Sequence, residues 1–308
     1  MLSSKAKKTK TLSLNKTFLQ LSIWSFLMEK EQLVERLVSI LANNLRSVQN
    51  QVNDFAKDYF VQRALLRGLM NMHAVNKTLP EEYFKLQDEL LQQELKEKKL
   101  VELSSLTPCK LNENVYVYQG DITAIKADAI VNSANKTLLG CFQAGHNCVD
   151  NCLHSAAGLQ LRYECDSIVK KSGIEYQAGN VIITHGFNLP YKYVIHAVAP
   201  NIAYELTPKA KTELKDCYIH SLNIARNNGV KVLVFTFIGQ GQHGLPVTKC
   251  AQVATDCVLE NLQAHQNDLK IIFAVTDERE KKALDDCLVP KKKLDDKQLH
   301  PYFNLDLI

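Results

Sequence analysis

The sequence predicts an α/β domain, a sheet with helices on both faces, preceded by an N-terminal helical extension. Two observations carry this. From Val115 onward, short β-branched runs alternate with longer stretches of helical periodicity, and such alternation packs helices on both faces of one sheet. Before that point, residues 29–105 show only helical spacing. Composition agrees: 308 residues, 46% hydrophobic and 23% charged, suffice for a sizeable core in an ordinary globular protein.

Residues 1–28 stand apart. The first 27 hold five lysines (5, 7, 8, 10 and 16) and no acidic residue. A targeting segment would want arginines or a small-residue cleavage site, and neither is obvious. The expectation is a disordered extension or a start assigned too early, with Met28 before Glu-Lys-Glu as a natural beginning. In the extension, Leu33, Leu37, Ile40 and Leu41 recur at helical spacing. Further helices are expected over about 53–72 and 80–98. Pro80 suits a first helical turn, and Glu81 and Glu82 complement the positive end of the helix dipole.

The expected strands are Val115–Gln119, Ala129–Asn132, Val181–His185, Tyr193–Ala197, Val232–Phe237 and Ile271–Val275. The expected helices cover about 149–171, 210–228, 247–264 and 278–287. Leu214, Cys217, Tyr218, Leu222 and Ala225 form one apolar face, and Val247, Cys250, Ala251, Ala254, Val258 and Leu262 another.

A formal charge of +4 argues against nucleic acid as the main partner. No apolar run approaches the roughly 20 residues of a membrane span, so no membrane role is expected. Nine cysteines, an odd count without a disulfide framework, are expected mostly reduced, which suits a cytoplasmic protein. His185, His196 and His220 read as structural, and Lys291–Lys293 beside two aspartates as a solvated tail.

In α/β sheets ligands bind beyond the strand ends, so chemistry is sought in the loops after 119, 132 and 237. Asp121, after Gly120, offers a carboxylate to an amino group on a ligand base, or caps a turn. Asn132 and Asn135 could read the hydroxyls of a ribose, since an amide both donates and accepts, or could simply form turns. Cys141, His146 and Cys148 place two thiols and an imidazole within eight residues. They could close on zinc with one position left open, or be incidental. Cys152, one helical turn after Cys148, would close the site as a fourth ligand. Asp150 could orient or deprotonate a water, or simply favour the helix start. Gly239, Gly241 and Gly244 allow backbone N–H groups to approach a phosphate.

Together these loops, in this order, resemble the macrodomain family. The strings are Gly120-Asp-Ile-Thr123, Asp128-Ala-Ile-Val-Asn-Ser-Ala-Asn135, Leu138-Leu-Gly140, His154-Ser-Ala-Ala-Gly158, Ala178-Gly-Asn-Val-Ile-Ile-Thr184 and Tyr193-Val-Ile-His-Ala-Val-Ala-Pro200. The Cys-x4-His-x-Cys insertion resembles the zinc-containing branch often encoded with a sirtuin. Arg67–Met72, Phe84–Asp88 and Leu91–Glu94 resemble that branch's helical extension.

The resemblance implies a three-layer α/β/α macrodomain over 106–308, with its core at about 112–287 and a mixed central sheet. It implies ADP-ribose as ligand and hydrolysis of the bond joining ADP-ribose to a modified protein side chain, expected to be Asp- or Glu-linked. Asp121 would accept the adenine amino group, with the Ile122 backbone at the same end. Asn135 would hold the distal ribose, with Val149 beside it and Asp150 near the scissile bond. This makes Asn135 and Asp150 the expected catalytic residues. Gly239, Gln240, Gly241, Gln242 and His243 match the phosphate-cradling loop, and Cys141, His146 and Cys148 the ligands of Zn2+. The chain departs from the family where Gly239 and Gln240 replace hydroxyl residues and His243 an aromatic. That departure motivates an alternative, a reader that binds ADP-ribosylated protein without cleaving it.

Overall fold

The computed structural model describes residues 28–44, 57–202, 206–240 and 244–290. The expectations for residues 1–27, for the helix over 53–56, for Gly241, Gln242 and His243, and for Lys291–Lys293 fall outside them. Six strands form one sheet: β1 (Val115–Gln119), β2 (Ala127–Ala134), β3 (Val181–His185), β4 (Tyr191–Val198), β5 (Val232–Phe235) and β6 (Lys270–Val275), in the order β1-β6-β5-β2-β4-β3. Neighbours are parallel except β3, which runs antiparallel to β4, so the sheet is mixed.

Side chains alternate across the strands and feed two cores. Val115, Ala129, Val131, Phe235 and Phe273 pack with helices α6 (Pro208–Asn227), α7 (Val247–Ala264) and α8 (Glu278–Cys287). Tyr116, Ile130, Val194, Val234 and Ile272 pack on the other face with α4 (Val149–Ala157) and Leu161 of α5 (Leu159–Ser172). This is the three-layer α/β/α arrangement. The apolar faces expected on α6 and α7 are the buried ones, with Leu214, Cys217, Tyr218, Cys250, Ala254 and Val258 all fully buried.

Several element ends differ from the sequence reading. β2 and β4 run longer at both ends, and β5 stops at Phe235, so Thr236 and Phe237 open a loop. The single helix expected over about 149–171 is two helices. Gly158 breaks it at φ 95° and ψ 171°, outside helical space, and a Cβ there would lie 2.3 Å from Gln87 Nε2. Gln87 then accepts the Leu159 N–H at 2.9 Å, replacing a partner lost at the new helix start. Pro80 is the N-cap residue rather than the first helical one.

The extension consists of α1 (Lys30–Asn44), α2 (Tyr59–Met72) and α3 (Glu81–Glu97). Leu33, Leu37, Leu41, Leu66, Leu69 and Leu90 share a buried cluster that also takes in Leu159, so the extension packs onto the α/β body. Buried Arg162 of α5 strengthens the junction: its Nη1 donates to the carbonyls of Met70, Asn71 and His73 at the end of α2, at 3.1, 3.0 and 2.5 Å. Burial lowers its pKa to about 10, yet it stays cationic at neutral pH.

Candidate functional site

The carboxyl ends of parallel strands β1, β2, β5 and β6 open into one cleft of about 1210 Å³. Each strand contributes a loop, as the strand-end rule requires. Asp121 and Ile122 come from the β1 end, Asn135 from β2, Gln240 from beyond β5, and Val149 and Asp150 from the start of α4.

Asp121 closes a turn, one of the two readings its position allows. Its Oδ1 accepts the Thr123 N–H and hydroxyl at 2.8 and 2.7 Å, closing a turn. Its Oδ2 accepts from Lys98 Nζ at 2.8 Å, a residue at the end of α3. Half-burial pushes the carboxyl up, but the Lys98 and Thr123 bonds outweigh it and hold the pKa below its ordinary value. Asn135 likewise shapes its own loop. Its Oδ1 accepts the Thr137 N–H and hydroxyl, and its Nδ2 donates to the Gly140 carbonyl at 3.1 Å. Gly140 has φ 81°, and a Cβ there would meet the His154 ring at 2.9 Å, so the loop needs glycine.

Asn132 does not face the cleft. It is fully buried, and its Nδ2 donates to Asp150 Oδ1 at 2.7 Å and lies 3.2 Å from His196 Nδ1. The side chain read as a hydroxyl reader instead holds the Asp150 carboxylate from below. Asp150 is 6% exposed. Burial pushes its carboxyl up to about 6, against the Asn132 hydrogen bond and the charge of Arg162. His154 Nε2 lies 3.5 Å from Asp150 Oδ1. Burial and His196 push the His154 pKa well down, so the ring is neutral and the contact is not an ion pair. His196 is also neutral: burial lowers its pKa to about 3, and its Nε2 lies 3.0 Å from the Thr184 hydroxyl. His185 pairs with Glu164, and His220 Nδ1 lies 2.7 Å from the Gly179 carbonyl. All three histidines read as structural have structural partners.

The ligand atoms of Cys141, His146 and Cys148 lie within 4.8 Å of one another. Cys141 Sγ is 3.6 Å from His146 Nδ1. Zinc bonds of about 2.3 Å to sulfur and about 2.0 Å to nitrogen give a tetrahedral edge of about 3.5 Å, so this spacing fits zinc, as does the soft donor set. Burial pushes the Cys148 thiol up to about 12, so the protein alone leaves it a neutral thiol and a poor nucleophile. Cys152 is placed differently. Its Sγ lies 3.7 Å from Arg67 Nη2, and the convergent group comprises the other three residues.

Some lining residues were not anticipated. Thr236 and Phe237 follow the early end of β5, Thr276 follows β6, and Glu280 lies in the first turn of α8. Glu280 accepts the Thr276 N–H and hydroxyl at 2.6 and 3.1 Å. The strand-end rule, applied to Ile271–Val275 as it was to the other three strands, would have found Thr276.

With this geometry in view, the relatives are informative. The Macro domain model matches residues 131–254. A Protein-ADP-ribose hydrolase of Treponema medium is 37% identical over 254 residues, covering 82% of this chain and 96% of its own. One from Staphylococcus aureus (strain MSSA476) is 38% identical over 214 residues, covering 68% of this chain and 79% of its own. The solved Oceanobacillus iheyensis macrodomain with ADP is 32% identical, with TM-score 0.52, covering 58% of this chain and 92% of that one. The chain belongs to the macrodomain family.

Proposed function

We propose that this chain binds ADP-ribose in the cleft and hydrolyses the bond joining it to a protein side chain, with zinc held by Cys141, His146 and Cys148. The curated relatives named protein-ADP-ribose hydrolase support the reaction class. The observation that carries the reading is Asp150. It is a buried carboxylate at the cleft edge, fixed by Asn132 and two residues beyond Cys148.

Asp121 accepts from the adenine amino group, beside Ile122. The backbone at Gly239 and Gln240 runs near the diphosphate, where N–H groups can meet phosphate oxygens. Asn135 and Val149 flank the distal ribose. Asp150 orients a water or a ribose hydroxyl at the scissile bond and takes its proton. Zinc, when bound, supplies Lewis-acid polarisation of an oxygen beside it. A linkage to Asp or Glu is an ester of a good leaving carboxylate, which suits a site with one placed carboxylate and no second general acid assigned. A cytoplasmic setting goes with this reading.

The test is release of ADP-ribose from proteins mono-ADP-ribosylated on Asp or Glu, with Ser-linked substrate in parallel. Wild type releases it; Asp150→Ala loses on the order of 100-fold or more, the usual span for a placed acid–base group, and Cys141→Ala, which removes a proposed zinc ligand, loses activity as well. Equal release by all three would sink the mechanism. Tight ADP-ribose binding without release from any linkage would establish the reader instead, which the Gly239-Gln240 substitution favours.

A further inference from the structure

The loop carrying Cys141, His146 and Cys148 has no helix or strand of its own. What fixes it lies largely outside the α/β body. Arg67 of α2 donates through Nη2 to the His146 carbonyl at 2.9 Å and to Asn151 Oδ1 at 3.0 Å. Asn71, one turn on and buried, accepts the Gly145 N–H at 3.0 Å and donates to Ser155 Oγ at 3.0 Å. Asn151 Nδ2 in turn donates to the Gln143 carbonyl at 3.0 Å. The Arg162 guanidinium, anchored on the end of α2, lies 4.3 Å from the centre of the Phe142 ring. A Cβ added to Gly68 would come 3.6 Å from Ala144 Cβ, so α2 runs close beside the loop at this point. Phe142, Gln143, Gly145 and His146 thus each have a contact to α2, to α5 or to the start of α4.

We propose that Arg67 and Asn71 are positioning residues for the metal loop: they hold the Gly145 and His146 backbone so that the three ligand atoms converge. This rests on reading that loop as a metal site. The physical reason is that a metal-binding constellation must be held within about 0.5 Å, and partners behind the ligands do this. Arg67 suits the task because a cationic donor makes stronger hydrogen bonds to a carbonyl than a neutral one. Its position on α2 makes the extension a working part of the site rather than an appendage.

The test uses the full chain as wild type, Arg67→Ala, Arg67→Lys, Asn71→Ala and Leu37→Ala. Zinc affinity is read by competition with a chromophoric chelator, and loop order by amide hydrogen exchange. Arg67→Ala and Asn71→Ala bind zinc at least tenfold more weakly, the range for losing a partner behind a ligand. Each still takes up one zinc per chain at saturation. The Gly145 N–H exchanges faster in Arg67→Ala, and the His146 N–H, bonded to the Gln143 carbonyl, faster in Asn71→Ala. Leu37→Ala thins the extension's core away from the loop and leaves zinc affinity unchanged, which a merely structural role for the extension would not predict.

Arg67→Lys falls between, since an ammonium keeps the charge but, on a shorter stem, does not reach both acceptors that Nη2 meets. It carries the test should Arg67→Ala not fold. Zinc affinity within twofold of wild type in the folded Arg67 and Asn71 variants overturns the proposal. If wild type binds no zinc, the metal reading fails, and exchange alone then decides: unchanged loop exchange overturns the bracing, and faster exchange supports it.

Discussion

Single residues in this protein often do two things, which is why sequence alone reads them ambiguously. Asp121 and Asn135 close turns with their own Oδ1 atoms while lining the cleft, so the turn role and the ligand role are compatible. Asn132, inside β2, is buried and holds Asp150, whereas Asn135 lies in the loop just after the strand. His73 shows what burial does to a titrating group. It is fully buried, its Nε2 lies 2.8 Å from the Tyr163 hydroxyl, and burial lowers its pKa to about 4 despite the nearby Lys77 carbonyl. The folded ring stays neutral, while the unfolded one protonates near its ordinary pKa of about 6.5. Its contribution is therefore intact above about pH 6.5, declines as pH falls, and levels off below about 4. Across that window one proton's difference is worth about 1.4 kcal/mol per pH unit. Urea unfolding of wild type and His73→Gln between pH 7 and 4 should show the variant's stability falling less steeply with acid, and parallel curves would refute this.

At the scale of elements, most of the sheet was readable because its strands are short β-branched runs bounded by polar residues. β1, β3, α7 and α8 have the bounds that periodicity suggested. What was not readable depended on contacts across the chain. The break between α4 and α5 needs Gln87, from a helix about 70 residues earlier, to explain why the chain turns at Gly158. Helical periodicity runs straight through that point, so the pattern alone gives one helix. Gly158→Ala tests the explanation. A Cβ at φ 95° would be strained and would crowd Gln87, costing on the order of 1–3 kcal/mol. Chemical denaturation would measure it, and a loss below about 0.5 kcal/mol, the ordinary range for a surface substitution, would contradict it. Arg67 and Asn71 were visible only as part of a motif. Nothing local marks a helix residue as the partner of a loop more than 70 positions away.

At the scale of the molecule, the functional reading joins two parts. The α/β body supplies the cleft at its strand ends, and the extension reaches both ends of it. Lys98, at the end of α3, holds Asp121 where adenine is expected, and Arg67 and Asn71 hold the metal loop where the distal ribose is expected. None of the nine cysteines is in a disulfide, and among the described residues no helix is long and apolar enough to cross a membrane. The cysteines on α5, α6 and α7 are buried core residues; Cys165 of α5 lies beside buried His154 and His196, whereas Cys141 and Cys148 converge with His146 in the loop that lines the cleft. The central claim is that this cleft takes ADP-ribose beside a zinc ion. Calorimetric titration with ADP-ribose, on protein whose zinc content is measured in the same sample, tests it most directly. One zinc and one saturable ADP-ribose site per chain, with zinc lost and ADP-ribose binding weakened in Cys141→Ala, is the predicted result. A chain that carries no zinc and shows no saturable binding of ADP-ribose would contradict it.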